Sequence, residues 1–250
     1  MFFKNGKVES IDLKRYNLAG TTPFSQNVPF FAKHLCPYVL VRDFCIGKDI
    51  LEIGIGDGYG LHYLCGLARK YAGIDLDSAR LLKAKAGYSL LNTALMDGVN
   101  LGFKSGIFDV VYSFHVIEHI GESQTGQFLQ EIRRVLKPEG IFVCATPNLE
   151  KNRKRKGDKY QIDPLHAKEY AYFDLKRLLE SAFPKVEIYS FLPTVRHGLF
   201  LKLKKLGLLK YNLCGRNPVK KFYENISTED FMVSGSNLKD AVDFIGICQR

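Results

Sequence analysis

The stretch Ile50-Leu51-Glu52-Ile53-Gly54-Ile55-Gly56-Asp57-Gly58-Tyr59-Gly60 decides the fold. Its apolar half, Ile50 to Ile55, reads as a short strand buried on both faces. Glycine then recurs at 54, 56, 58 and 60. A side chain there would collide with a ligand or forbid the φ angles of the turn. A helix-compatible segment follows, with Leu61, Leu64, Cys65, Leu67 and Ala68 on one side. Strand, glycine turn and helix make the βα unit that holds a nucleotide-like ligand at a helix N-terminus. The dinucleotide fingerprint G-x-G-x-x-G fails in both frames, because its third position falls on Tyr59 or Leu61. No lysine follows the glycines as in a P-loop. What stands here is acid-x-Gly-x-Gly-x-Gly, from Glu52 to Gly58.

The flanking sequence repeats the strand–helix alternation. Upstream, Phe31, Leu35, Tyr38, Val39 and Arg42 fit a leading helix that Pro37 must kink or restart. The stretch before it, Tyr16 to Phe24, reads as a loop or cap. Downstream, a second strand over 71–77 ends in Asp75 and Asp77, and Ser78 is expected to cap a helix over 79–86. A third strand near Ala94–Met96 ends in Asp97-Gly98, and a fourth runs from Phe108 to Phe114. A helix over about 122–136 buries Phe128, Leu129, Ile132, Val135 and Leu136, then stops at Lys137-Pro138-Glu139-Gly140. Ile141 to Thr146 is a fifth strand. Asp174 is expected to cap a helix through Phe183, and segments 186–191 and 241–248 read as closing strands.

This order predicts an open α/β fold: a mostly parallel twisted sheet, helices on both faces, and an antiparallel closing strand near the C-terminus. The chain is expected to be one domain over 1–250, with an N-terminal cap over about 1–45 and a lid or substrate insertion over about 193–238. Ligands in such folds sit at the carboxyl ends of the strands. The glycine turn, Asp75, Asp97 and the segment after Phe114 all fall there.

These motifs together resemble the class I S-adenosylmethionine-dependent methyltransferases, a Rossmann-like family. The likeness covers roughly residues 45–190 and the final strand. It rests on the glycine motif, Gly73-Ile74-Asp75-Leu76-Asp77, Met96-Asp97-Gly98, Phe108-Asp109-Val110-Val111 with Ile117-Glu118-His119, and the turn at 136–140. Gly102 departs from the family's usual proline in a turn. The resemblance implies S-adenosyl-L-methionine as cofactor. Gly54, Gly56 and Gly58 would approach its methionine and ribose parts, and Glu52 would lie near the ammonium. Asp75 would bind the ribose hydroxyls, and Leu76 would pack on adenine. Asp97 would accept from the adenine amino group, with Met96 and Gly98 beside the ring. Ser113-Phe114-His115 would run under the sulfonium, with His115 lining the pocket. A looser likeness, in Thr146-Pro147-Asn148, Asp163-Pro164-Leu165-His166 and Lys168-Glu169-Tyr170, points to small-molecule and sugar-modifying members.

For a hydroxyl acceptor, His119 is the expected proton acceptor, since imidazole titrates near neutrality. His166 is the expected substrate contact. His34, His62 and His197 read as structural or solvent-facing. The spacing of His115, Glu118 and His119 would also admit a metal, but three ligands with confirmed geometry are not visible, and no metal is expected.

Composition sets the outer bounds. The 250 residues carry 46% hydrophobic side chains, enough to bury a full core, and a net charge of +10. That charge suits an anionic partner such as nucleic acid, a phosphorylated substrate or a membrane surface, without choosing among them. No recognisable RNA-binding module accompanies it. No apolar run approaches the ~20 residues that span a bilayer. Met1 to Lys7 lack the apolar stretch of a secretory signal, so the expected location is cytoplasmic. The six cysteines contain no C-x-x-C pair and read as buried thiols. Two basic segments stand out. Lys151 to Lys156 could grip a phosphate or be a solvated loop. Segment 199–210 interleaves leucine and lysine at helical spacing, as a lid or a peripheral membrane contact would.

The expected function is O-methylation of a small molecule or glycan hydroxyl. The alternatives are an RNA or protein methyltransferase, or a non-catalytic cofactor-binding regulator. Acceptor identity and oligomeric state are not legible.

Overall fold

The computed structural model describes residues 6–11, 13, 28–87, 92–209 and 217–250. The expected loop over Tyr16–Phe24 lies outside them. Among the described residues nine strands form one sheet: β1 (Gly6–Lys7), β2 (Asp49–Ile53), β3 (Lys70–Asp75), β4 (Thr93–Leu95), β5 (Phe108–Phe114), β6 (Leu136–Pro147), β7 (Lys185–Pro193), β8 (Phe231–Ser234) and β9 (Asp243–Gln249). Their order is β1-β8-β7-β9-β6-β5-β2-β3-β4. β4, β3, β2, β5 and β6 run parallel. β9 inserts antiparallel between β6 and β7, and β8 and β1 continue that antiparallel edge. The closing strand is therefore antiparallel, as expected. The segment expected to be an insertion contributes more than a lid, because β8 belongs to the sheet.

The eight helices described are α1 (Val28–Cys45), α2 (Tyr59–Leu64), α3 (Ser78–Gly87), α4 (Thr125–Val135), α5 (Leu149–Lys156), α6 (Tyr172–Glu180), α7 (Val195–Lys205) and α8 (Pro218–Glu224). The period-two alternation of the strands feeds two cores. Ile50, Val110, Tyr112, Val143 and Ile245 pack with Leu35, Val41 and Leu61 from α1 and α2. Leu51, Val111, Phe142, Cys144 and Phe244 pack on the opposite face with Phe128, Ile132, Leu175 and Leu179 of α4 and α6. α1 accommodates Pro37 within its length.

Three local expectations change. Asp77, not Ser78, caps α3: its Oδ1 accepts from Ala79 N at 2.8 Å and Arg80 N at 3.2 Å. α6 starts at Tyr172 after Ala171, so Asp174 sits in its first turn, where a carboxylate favours the helix dipole. The polar stretch after Pro147 is helical, because the buried Asn148 side chain accepts from Glu150 N and Lys151 N. Its amide also donates to Ala241 O at 3.0 Å, fixing α5 to the start of β9.

The two edges of the parallel sheet differ in charge bookkeeping. At the amino edge Asp49 and Asp109 are paired with cations. Arg69 and Lys137 bind Asp49, Lys137 binds Asp109 at 2.8 Å, and Arg69 with Lys137 holds the Asp49 carboxyl down to about 2. At the carboxyl edge Ser113 Oγ, His115 Nε2 and Asp243 Oδ1 are buried without a hydrogen-bond partner among the described residues. Buried polar atoms are normally satisfied, so this edge is the place to look for a ligand.

Candidate active site

The glycine turn closes β2 in a left-handed backbone. Gly54, Gly56 and Gly58 have φ of 81°, 53° and 80°. A Cβ at Gly54 would come within 2.4 Å of Val116 Cγ2, whereas at Gly56 the nearest atom is Arg80 Nη1 at 4.0 Å. The turn is thus closed beneath and open above. Asp75 ends the neighbouring strand and grips the turn: its Oδ2 accepts from Gly56 N at 2.8 Å and its Oδ1 from Asp77 N at 2.9 Å. An ionised carboxylate has about four acceptor positions, so two remain. Leu76 follows, an apolar side chain with 71% of its surface exposed.

On the next strand end Met96 N donates to Asp75 O at 3.1 Å, which sets Met96 and Asp97 beside Asp75. Asp97 Oδ1 also accepts from Val99 N at 3.0 Å, an Asx turn that fixes its rotamer. Met96 Sδ accepts from Gly102 N at 3.3 Å. Gly98 has a packing reason: a Cβ would lie 2.9 Å from the Phe128 ring. The structure therefore brings Gly54, Gly56, Gly58, Asp75, Leu76, Met96 and Asp97 together along three adjacent strand ends.

Glu52, expected near a ligand ammonium directly or through water, is enclosed by its own chain. Its carboxyl is 1% exposed and lies under the turn, against α1. Tyr38 donates to Oε1 at 2.8 Å, and Tyr71 and Tyr112 both donate to Oε2. Tyr38 also fills the space that leaves Gly60 no room for a side chain, since a Cβ there would be 1.8 Å from its ring. Three phenols, scattered in sequence, occupy the acid and brace the turn from below. Burial pushes the Glu52 carboxyl up to about 7 despite these donors. A raised carboxyl pKa favours the folded state when protonated. That stabilisation is complete below the unfolded value of 4.5 and disappears as pH rises through about 7. Chemical denaturation across this range should show the stability advantage of wild type over Glu52→Gln declining by an amount on the order of 3 kcal/mol. A constant difference would show that the carboxyl titrates alike in the folded and unfolded protein.

After β5 the chain turns at His115, a non-glycine residue with φ of 57°. The turn aims the ring across the sheet edge. His115 Nδ1 lies 3.4 Å from Glu118 Oε1, and Nε2 lies 3.7 Å from Asp243 Oδ2. Lys33 of α1 pairs with the same Asp243 oxygen at 2.8 Å. His34 packs against His115 with ring centroids 4.5 Å apart and planes tilted by 39°. Sequence reading takes His34 as structural and does not single out Lys33 or Asp243. Nothing local marks them, because they enter from α1 and β9. Burial, with the charges of His115 and Lys33, holds His34 well below the usual imidazole range. Glu118 is 1% exposed. Burial would raise its carboxyl, but hydrogen bonds from His115 and Thr146 and the His115 charge outweigh that and keep it low.

His119 and His166 meet at the rim. Their rings pack edge to face with centroids 4.9 Å apart. The loop carrying His166 is tied down by Ala167 N and Lys168 N, which donate to Glu118 O at 2.8 and 3.1 Å. α5 runs beside this loop. Its Asn152 and the Tyr160 hydroxyl donate to Glu169 at 2.9 and 3.0 Å, while Arg153 and Lys156 lie over the Tyr160 ring. No residue of α5 is buried. In α7, Phe200 and His197 pack on Phe222, while Leu199 and Leu201, and Leu206 and Leu208 just beyond the helix, remain exposed. His197 is thus structural. Among the described residues no helix is long and apolar enough to cross a membrane.

The strand order, the reversed β9, the glycine turn and the two acids at successive strand ends define a class I methyltransferase fold. A family model for a methyltransferase domain matches residues 51–144. The chain is 34% identical over 158 residues to a protein of Mycolicibacterium smegmatis named "Probable S-adenosylmethionine-dependent methyltransferase", covering 63% of this chain and 60% of that one. It is 29% identical over 113 residues to the ubiquinone biosynthesis O-methyltransferase of Maricaulis maris, covering 41% of each. The chain thus spans less than two thirds of either relative. A solved structure of a SAM dependent methyltransferase from Archaeoglobus fulgidus superposes with a TM-score of 0.61 at 20% identity, over 89% of this chain and 94% of that one. The chain is similar to S-adenosylmethionine-dependent methyltransferases over about three fifths of its length, and its fold is that of the class I enzymes.

Proposed function

We propose that this protein uses S-adenosyl-L-methionine to methylate the hydroxyl of a small molecule or glycan. The observation that carries the reading is the juxtaposition of an open glycine turn with a partly buried imidazole, His115, whose buried Nε2 has no hydrogen-bond partner among the described residues. The cradle fits the cofactor. Backbone can approach a ligand over Gly56, Asp75 has acceptor positions left for ribose hydroxyls, and Leu76 and Met96 offer apolar contact to a base, with Asp97 beside them. When bound, the cofactor supplies an electrophilic methyl group on a sulfonium.

The chain's own residues supply position and a proton acceptor. Glu118 beside Nδ1 of His115 favours the tautomer with its proton on Nδ1, leaving the Nε2 lone pair free. That nitrogen takes the proton of the acceptor hydroxyl. Asp243, 3.7 Å away, stabilises the imidazolium that results. We assign this role to His115 rather than to His119, whose ring is exposed at the rim. A dry, pre-shaped pocket favours transfer chiefly by alignment.

The test has two stages. Calorimetric titration should show S-adenosyl-L-methionine binding, and no binding at millimolar cofactor overturns the reading. A screen of hydroxyl-bearing acceptors, followed by product mass, should then show a methyl adduct on oxygen. Methylation confined to RNA or protein would replace the acceptor class. Cofactor binding without any product would make the chain a non-catalytic binder.

A further inference from the structure

We propose that Glu118, His119 and His166 form a binding site for a divalent transition-metal ion at the rim of the carboxyl edge. One ligand atom from each lies within 4.8 Å of the other two, the one such group among the described residues. Two imidazoles with one carboxylate suit zinc, iron, cobalt or nickel rather than calcium or magnesium, which favour oxygen ligands.

The surroundings carry the argument further than the trio does. A metal-binding histidine is held by its other ring nitrogen, which fixes tautomer and orientation. Both histidines meet that condition. His119 Nδ1 lies 2.7 Å from Leu165 O, and His166 Nδ1 lies 3.2 Å from Glu169 Oε1. Each acceptor directs the ring proton to Nδ1 and leaves the Nε2 lone pair for a cation. Glu169 is itself fixed by Asn152 and Tyr160. Glu118 is oriented by Thr146, whose hydroxyl donates to Oε2 at 2.9 Å. The Ala167 and Lys168 backbone bonds to Glu118 O bring the third ligand to the other two.

The arrangement leaves coordination positions open on the exposed side of His119. Three protein ligands with open positions are the pattern of sites where an ion also takes water or substrate. Glu118 touches His115 as well, so an ion held there stands next to the proposed proton acceptor.

Metal binding is read on the chain alone, so its failure is distinct from a failure of methyl transfer. Untagged, chelator-treated full-length protein is titrated with Zn2+ by calorimetry and with Co2+ by visible absorption. The expected result is one ion per chain. His119→Ala and His166→Ala should each weaken binding by roughly 100-fold or more, and Glu169→Gln by about 10- to 100-fold. Circular dichroism checks that each variant is folded. If His166→Ala does not fold, His119→Gln at the exposed position carries the test. The proposal is overturned if wild type binds neither ion. It is also overturned if the histidine variants bind as wild type does, or if Co2+ shows a thiolate charge-transfer band, which would put the ion on cysteine.

Discussion

His115→Asn should lower the turnover rate by about 10²- to 10³-fold while leaving S-adenosyl-L-methionine affinity nearly unchanged, because a positioned general base contributes typically 10²–10⁴-fold. Asparagine is the appropriate replacement. His115 sits at φ 57°, and asparagine adopts the left-handed region more readily than other side chains. It keeps a polar group near Glu118 and Asp243 but has no basic nitrogen. The alternative role, lining the cofactor pocket, gives the opposite pattern: weakened cofactor binding with little change in the rate at saturation. Single-turnover kinetics alongside cofactor titration separates the two. An unchanged rate would remove His115 as the base.

Asp75→Ala should weaken cofactor binding by roughly 100-fold or more. Two effects combine. The ribose hydroxyls lose a charged acceptor, and hydrogen bonds to charged groups contribute about 1.5–3 kcal/mol each. In addition, Gly56 N and Asp77 N lose the carboxylate that ties the glycine turn to β3. Asp77→Ala is the matched control. Its side chain caps α3 and is exposed, so its loss should cost helix stability of about 1 kcal/mol with little effect on affinity. Equal affinity for wild type and Asp75→Ala, measured calorimetrically, would refute the ribose role.

The βα alternation and the placement of the glycine turn, Asp75 and Asp97 at one edge were legible because each depends on local pattern. Strand periodicity, an apolar helix face and a residue needing φ above zero are properties of a few consecutive residues. Helix α5 was not legible, since five of its eight residues are basic and no apolar stripe marks it. Its stability comes from the Asn148 cap and from the bond to Ala241, a partner far along the chain. The leucine–lysine segment after residue 195 shows helical spacing, yet Phe200 and His197, not the leucines, make its buried contacts.

The sequence by itself determined the fold class, the strand that closes it and the gathering of the glycine turn, Asp75 and Asp97 at one edge. The tertiary structure alone decided which polar groups face one another. Glu52 is the acid of the motif, and phenols from α1, β3 and β5 converge on it and hold its carboxyl in the core. His115 gains its two carboxylates from a turn and from β9, and His119 gains His166 from a loop across the edge. Hydrogen bonds and ion pairs act over about 3–4 Å in space whatever the separation in sequence. No local pattern encodes that convergence. It appears when the antiparallel strand β9 and the His166 loop fold back against the parallel sheet.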